Sequence, residues 1–279
     1  MIKLRPYYQI ISCFFFALLG VQIKQFLENN IIENLVFFRS FFGSLIILII
    51  ILLSKKKIFD LLSTNNLKIH ILRSIFGVSA MYFGYKSLIF LTLAQASTIG
   101  FSKVFFTCII SAYVFSEKLN FKTIFLVIFG FFGVILITNP GQINSQIGMY
   151  MALFSAVCVS GGIISISYLS KKENTLTILF YHSVASSLIF FLLFNEKIFF
   201  EFNIILVYYL LLTLTALLGQ YFNTESYKDL ETKNVVLLSY SRIVFSAIFG
   251  FCFFDEQVSI SSLFGIFVVI FSSFIIQKK

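Results

Sequence analysis

The run LVFFRSFFGSLIILIIILL, residues 35–53, holds one charge, Arg39, in nineteen positions. About 20 predominantly apolar residues cross a bilayer as a helix, and this run has that length and character. A helix is required because lipid offers peptide groups no partner, and a barrel would show short alternating segments instead. Working outward in both directions, the same pattern recurs. Ten spans are predicted, at 7–26, 31–53, 67–89, 93–115, 121–138, 147–169, 175–194, 203–223, 234–254 and 259–276.

Composition agrees with a membrane solvent. The chain is 59% hydrophobic and 12% charged, against roughly 45–50% and 25% in soluble domains. So few charges cannot clothe a water-soluble globule of 279 residues. The net charge of +9 is not gathered on a polar face, which excludes nucleic acid as a partner. Cys13, Cys108, Cys158 and Cys252 all lie inside apolar runs, where a thiol acts as a small hydrophobe, so no disulfide framework is expected. The basic start at Lys3 and Arg5 lacks a small-residue cleavage site after its apolar run and is read as leading into the first span.

Positive charge sorts by side. With the N-terminus in the cytoplasm, fourteen of the 21 basic residues fall on inner segments, among them Lys55, Lys56, Lys57, Lys118, Lys171, Lys172, Lys278 and Lys279. Lys24, Lys86 and Lys197 fall outside, and Arg39, Arg73, Lys103 and Arg242 remain within spans. By the positive-inside rule both termini are cytoplasmic. The expected location is a bacterial inner membrane.

The chain also matches itself at an offset of 139 residues. Ser102-Lys103 meets Ser241-Arg242, Tyr82-Phe83 meets Tyr221-Phe222, and Ser116-Glu117 meets Asp255-Glu256. Two halves follow, residues 1–140 and 141–279, with five spans each. An odd number of spans inverts the second half relative to the first, the plan of many secondary transporters with a midplane site at the repeat interface. The fold expected is therefore an all-α integral membrane protein of ten transmembrane helices in two five-helix inverted-topology repeats.

With its Phe37-Phe38-Arg39-Ser40-Phe41-Phe42 run, the His70-Ile71-Leu72-Arg73-Ser74 start of span three and the half-ends at Glu117 and Glu256, the sequence resembles the drug/metabolite transporter superfamily, in the branch with two EamA-type domains. Arg39, the span-three start and Ser239-Tyr240-Ser241-Arg242 are similar to S-adenosylmethionine uptake carriers of intracellular bacteria. The resemblance implies transport of a metabolite and leaves uptake and export open.

Charges inside a bilayer are costly and face a bundle interior or a watery cavity. At ~1.5 Å per residue, Arg39, Lys103 and Arg242 lie about 12 to 15 Å into their spans, near the midplane, and Arg73 about 9 Å in. Glu33, Glu117, Glu225 and Glu256 all sit near span ends. Arg39, Arg73, Lys103 and Arg242 are thus expected to bind an anionic group of a small polar or amphipathic metabolite. Tyr82, Tyr85, Gln95, Tyr181, Gln220, Tyr221, Asn223 and Tyr240 are candidates to line the cavity, and His182 is a candidate for proton coupling. Each has an ordinary structural alternative, interhelical bonding above all. Glu117 and Glu256 are expected to serve helix ends.

Two other classes compete. An intramembrane enzyme needs a nucleophile and base or a metal set, and the sequence shows no such arrangement around its two histidines. A channel calls for a ring of polar pore residues. No metal or cofactor is expected; the partners are the lipid bilayer and a small-molecule substrate, and the chain is expected to be a monomer or homodimer.

Overall fold

The computed structural model describes residues 5–27, 32–54, 61–91, 93–139, 145–198, 204–254 and 259–277. Lys3, Lys55, Lys56, Lys57, Lys278, Lys279, Glu256 and the expected boundary at residues 140 and 141 lie outside them. Among the described residues the fold is entirely helical: α1 (Arg5–Leu27), α2 (Ile32–Leu53), α3 (Leu67–Ser87), α4 (Leu93–Gly100), α5 (Lys103–Phe115), α6 (Phe121–Thr138), α7 (Gln146–Ser170), α8 (Thr175–Phe194), a 3-10 turn (Asn195–Lys197), α9 (Ile204–Ser226), α10 (Thr232–Leu238), α11 (Ser241–Phe254) and α12 (Ile260–Gln277). The ten predicted spans coincide with these helices to within three residues at each end. Spans 93–115 and 234–254 are each broken into two.

Helix ends are set by local side chains. Asn120, Ser145 and Asn174 cap α6, α7 and α8 by accepting from the amides of Thr123, Gly148 and Leu176, as expected of short polar residues at this position. Ser116 and Asn139 end α5 and α6 in the left-handed region, at φ 54° and 39°. The turn at Ser116 brings Glu117 across to the other half of the chain.

Eight helical stretches among the described residues are long and apolar enough to cross a membrane, and Ile260–Ser272 is a shorter apolar one. Large apolar side chains cover the exterior, with Phe121, Tyr113 and Ile260 more than four-fifths exposed. In water such a surface would drive aggregation; in lipid it is the solvated face. α3 is different, since it carries Lys68, His70, Arg73 and Lys86 and packs mainly against α7 and α8.

The other principal packing pairs are α1 with α9, α2 with α8, and α6 with α12. The last is a backbone contact: a Cβ at Gly265 would lie 2.7 Å from the Gly133 carbonyl, and one at Gly133 would lie 3.0 Å from that of Gly265. Neither backbone can yield as a flexible side chain would. Gly265→Ala is therefore expected to destabilise the detergent-solubilised protein by about 1–3 kcal/mol, read as a lower melting temperature. Gly100→Ala, where a Cβ meets nothing within 4 Å, is the control expected to melt no lower than the parent.

Candidate functional site: a basic cavity at two helix breaks

The interruptions of the two broken helices fall at residues 101–102 and 239–240, within one residue of the 139-residue offset. They are tightened turns. Ser102 N–H donates to Ile99, Tyr240 N–H to Leu237 and Arg242 N–H to Ser239, three residues back in each case. The Ser239 hydroxyl donates to the Val236 carbonyl at 2.6 Å, competing with the helical ladder. Such 3-10 stretches within a helix commonly mark a functional hinge. Lys103 and Arg242 stand in the first turn after each break.

A cavity of about 360 Å³ opens at this level, within the size range of small-molecule sites. Its wall draws Phe16 and Gly20 from α1, Arg39 from α2, Tyr85 from α3, Lys103 from α5 and Arg242 from α11. Arg39 is held by its Nη1, which donates to the Tyr85 hydroxyl at 2.8 Å and to Met81 Sδ at 3.1 Å. Lys103 Nζ lies 5.2 Å from the Phe101 ring and the Arg242 guanidinium 5.8 Å from that of Phe16, both within cation-π reach.

Ion pairs among the described residues include His70–Glu173, Lys197–Glu33, Lys228–Glu225 and Lys233–Glu231. None of them involves Arg39, Lys103 or Arg242. Arg39, Lys103 and Arg242 all stand in the wall of this cavity, which holds no Asp or Glu among the described residues. Three cations therefore converge on one cavity without an acid between them.

Other expected site residues are placed elsewhere. Tyr82 stacks on Phe194 at 5.1 Å and accepts from Lys86, in the apolar contact between α3 and α8. Tyr240 is fully buried and donates to the Val127 carbonyl at 3.1 Å. Gln95 is buried in α4 and absent from the cavity wall, and Tyr181 stacks on His70 and donates to the Leu62 carbonyl. Gln220 and His182 line a second, minute chamber that shares Arg39 and Met81 with the large one. Arg73 is buried in α3, off both walls.

The cavity reaches from the breaks toward the face where α3 ends, its wall including Ser87, Leu88 and Gly250. The opposite face, where α1 begins (the proximal face), is closed by polar ties between residues far apart in sequence. Glu117 accepts from the Thr232 and Lys233 amides at 2.7 and 3.1 Å, serving a helix end as expected but on a distant helix, α10. Ser226 donates to Gln9 at 2.9 Å and Lys233 Nζ to the Lys118 carbonyl at 2.8 Å. Glu173, between α7 and α8, accepts from Thr64 at 2.6 Å and Asn66 at 2.8 Å and pairs with His70 Nε2 at 2.6 Å. Glu225 accepts from Thr175 and Lys228.

Glu173 is the candidate residue that sequence reading missed. Burial opposes its charge, but the bonds from Thr64, Asn66 and His70 outweigh that and hold its carboxyl below the usual range. The one hint in the sequence is its place beside the cap residue Asn174, which gives no sign of partners a hundred positions away.

The model of the EamA-like transporter family matches residues 7–139 and again 146–277. The chain belongs to the EamA-like transporter family. This EamA-like chain is 24% identical over 253 residues to the pseudopaline exporter CntI of Pseudomonas aeruginosa, covering 88% of the chain and 86% of the exporter. It is 23% identical over 244 residues to an S-adenosylmethionine uptake transporter of Rickettsia felis, covering 85% and 79%. Solute carrier family 35 member G1 of Mus musculus is 24% identical over 284 residues, covering 96% and 76%. A solved crystal structure superposes with a TM-score of 0.73 at 15% identity, over 97% of this chain and 94% of its own, which shows a common fold. The EamA-like chain is thus a multi-pass membrane transporter of small molecules, and its family points away from an enzyme.

Proposed function

We propose that this transporter moves a small polar or amphipathic metabolite with an anionic group, of the amino acid or S-adenosylmethionine kind, across a bacterial inner membrane by alternating access. The convergence of Arg39, Lys103 and Arg242 on one cavity, none of them ion-paired among the described residues, carries this reading. A carboxylate or phosphate entering there offsets the burial of both partners. The match of the family model to two successive segments and the recurrence of the breaks support two inverted five-helix repeats over residues 1–140 and 141–279, with the site between them. The excess of basic residues on the proximal face supports cytoplasmic termini. The cavity then faces outward, and the ties of Glu117 and Glu173 form the closed inner gate. Gln220 and His182 lie below the cavity on the inward path, where His182 is a candidate for coupling. The assembly is a monomer or homodimer.

Purified protein in liposomes loaded with S-adenosylmethionine should exchange it for labelled S-adenosylmethionine outside, with a rate that saturates. A channel gives a linear, unsaturating flux. No flux with S-adenosylmethionine, and no thermal stabilisation by it or by a panel of amino acids, sinks this substrate class.

A further inference from the structure

Arg73 is a buried guanidinium, 3% exposed, and its Nε and Nη1 have no hydrogen-bond partner. A buried donor left unmade costs about 1–3 kcal/mol, more when charged, so such a group calls for an explanation. Among the described residues no carboxylate pairs with it. His70 lies one turn before it on α3, and His70 is paired with Glu173. Gly77 lies one turn after it, and a Cβ there would be 2.5 Å from His182 Cε1, so α8 presses the His182 ring onto the Arg73 face of α3. Arg73, Arg39 and His70 are the basic groups whose fields act on His182. Lys103, Arg242 and Arg39 on the cavity wall, Arg39 and His182 on the small chamber, and Arg73 and His70 on the helix packed against His182 thus succeed one another toward the proximal face. The carboxylate of Glu173, paired with His70, stands at the far end of this series. His182, packed on the Arg73 face, also lines the chamber of about 10 Å³ with Arg39, Ser40, Ser183 and Gln220, room for one small group and not for a whole metabolite.

The geometry points to Arg73 as a second anion-binding site, distinct from the central cavity, that takes a single small anionic group through Nε and Nη1. Two sources share that chemistry: the substrate's carboxylate on its way inward, or a halide resident in the bundle. The first source rests on the central cavity being the substrate site; anion binding at Arg73 does not.

Crystals soaked in bromide should show an anomalous peak within hydrogen-bonding distance of Arg73 in the parent protein and none there in Arg73→Gln. Should Arg73→Gln fail to fold, Arg73→Lys keeps the charge, loses the guanidinium fork and is expected to weaken the peak. A parent protein with no peak at Arg73 overturns the proposal. In liposomes, Arg73→Gln is expected to lower S-adenosylmethionine turnover at least tenfold while its affinity from the cavity side changes less than twofold. Parent turnover unchanged when sodium chloride is replaced by sucrose assigns the site to the substrate's carboxylate, and turnover that falls to the Arg73→Gln level assigns it to a halide. Arg73→Gln working at the parent rate in both media overturns a role in transport. A parent protein that moves no S-adenosylmethionine sinks the substrate reading and leaves the bromide peak to decide the site.

Discussion

The double variant Lys103→Gln, Arg242→Gln is expected to lose more than a hundredfold in transport while purifying with the yield and melting temperature of the parent. Both side chains line the cavity, and neither belongs to an ion pair among the described residues. Removing them breaks no salt bridge, so the folded state has little to lose. It even relieves the mutual repulsion of two like charges. The bound state loses far more, since truncating one partner of a buried charge pair costs about 2–5 kcal/mol, or roughly thirtyfold or more per residue. Each single variant should therefore lose at least tenfold in affinity. Arg39→Gln is predicted to behave differently, because Arg39 also bonds Tyr85 and Met81 and its loss should lower the melting temperature as well. Saturation binding and thermal unfolding on the same preparations make the comparison. Unchanged affinity in the double variant would remove the basic cavity as the binding site.

What could be read in advance, and what could not, follows from the range of each physical signal. Span positions were legible because bilayer thickness imposes a length on every apolar run, and charge or turn residues separate the runs. The pairing of Lys103 with Arg242 was legible as two rare polar matches at one offset, and each stands just after a helix break. The breaks themselves were not legible. Phe101 and Tyr240 are ordinary apolar residues, and a tightened turn keeps near-helical backbone angles, as Ser102 does at φ −58° and ψ −19°, so composition carries no trace of it. Tyr82 and Tyr85 show a second limit. Three residues apart on a helix, they point about 60° from one another, which places Tyr85 on the cavity wall and Tyr82 against Phe194. α3 is packed by helices on several sides, so no apolar stripe tells which tyrosine faces inward. Glu173 shows the third limit, because its partners Thr64, Asn66 and His70 are more than a hundred positions distant.

Glu173→Gln is expected to open the proximal face. Glutamine keeps the side-chain shape but loses the charge, and its amide nitrogen meets one of the three donors that the carboxylate now satisfies. Hydrogen bonds to a charged group are worth about 1.5–3 kcal/mol each, so losing the charge shifts the open-to-closed ratio by at least tenfold. Acid should do the same to the parent protein. The closed state holds the Glu173 carboxyl below its usual range, near 4.3 when free. Its contribution to closure is thus complete above that value and is lost as pH falls through the lowered one. The ties made by Glu117 and Glu225 to the same face remain in the variant, so opening is partial. Cys13 reports it, being buried beside the carbonyls of Leu238 and Ser239 just under the break. With Cys108, Cys158 and Cys252 replaced by serine, a membrane-impermeant thiol reagent added from the proximal face should label Cys13 at least ten times faster in Glu173→Gln than in the parent. Between pH 7 and pH 5 the parent rate, corrected for thiolate fraction with a model thiol, should stay flat, because the carboxylate remains ionised there. Equal labelling of parent and variant at pH 7 would show that Glu173 does not hold the gate, and would shift the closing role to the bond between Glu117 and α10.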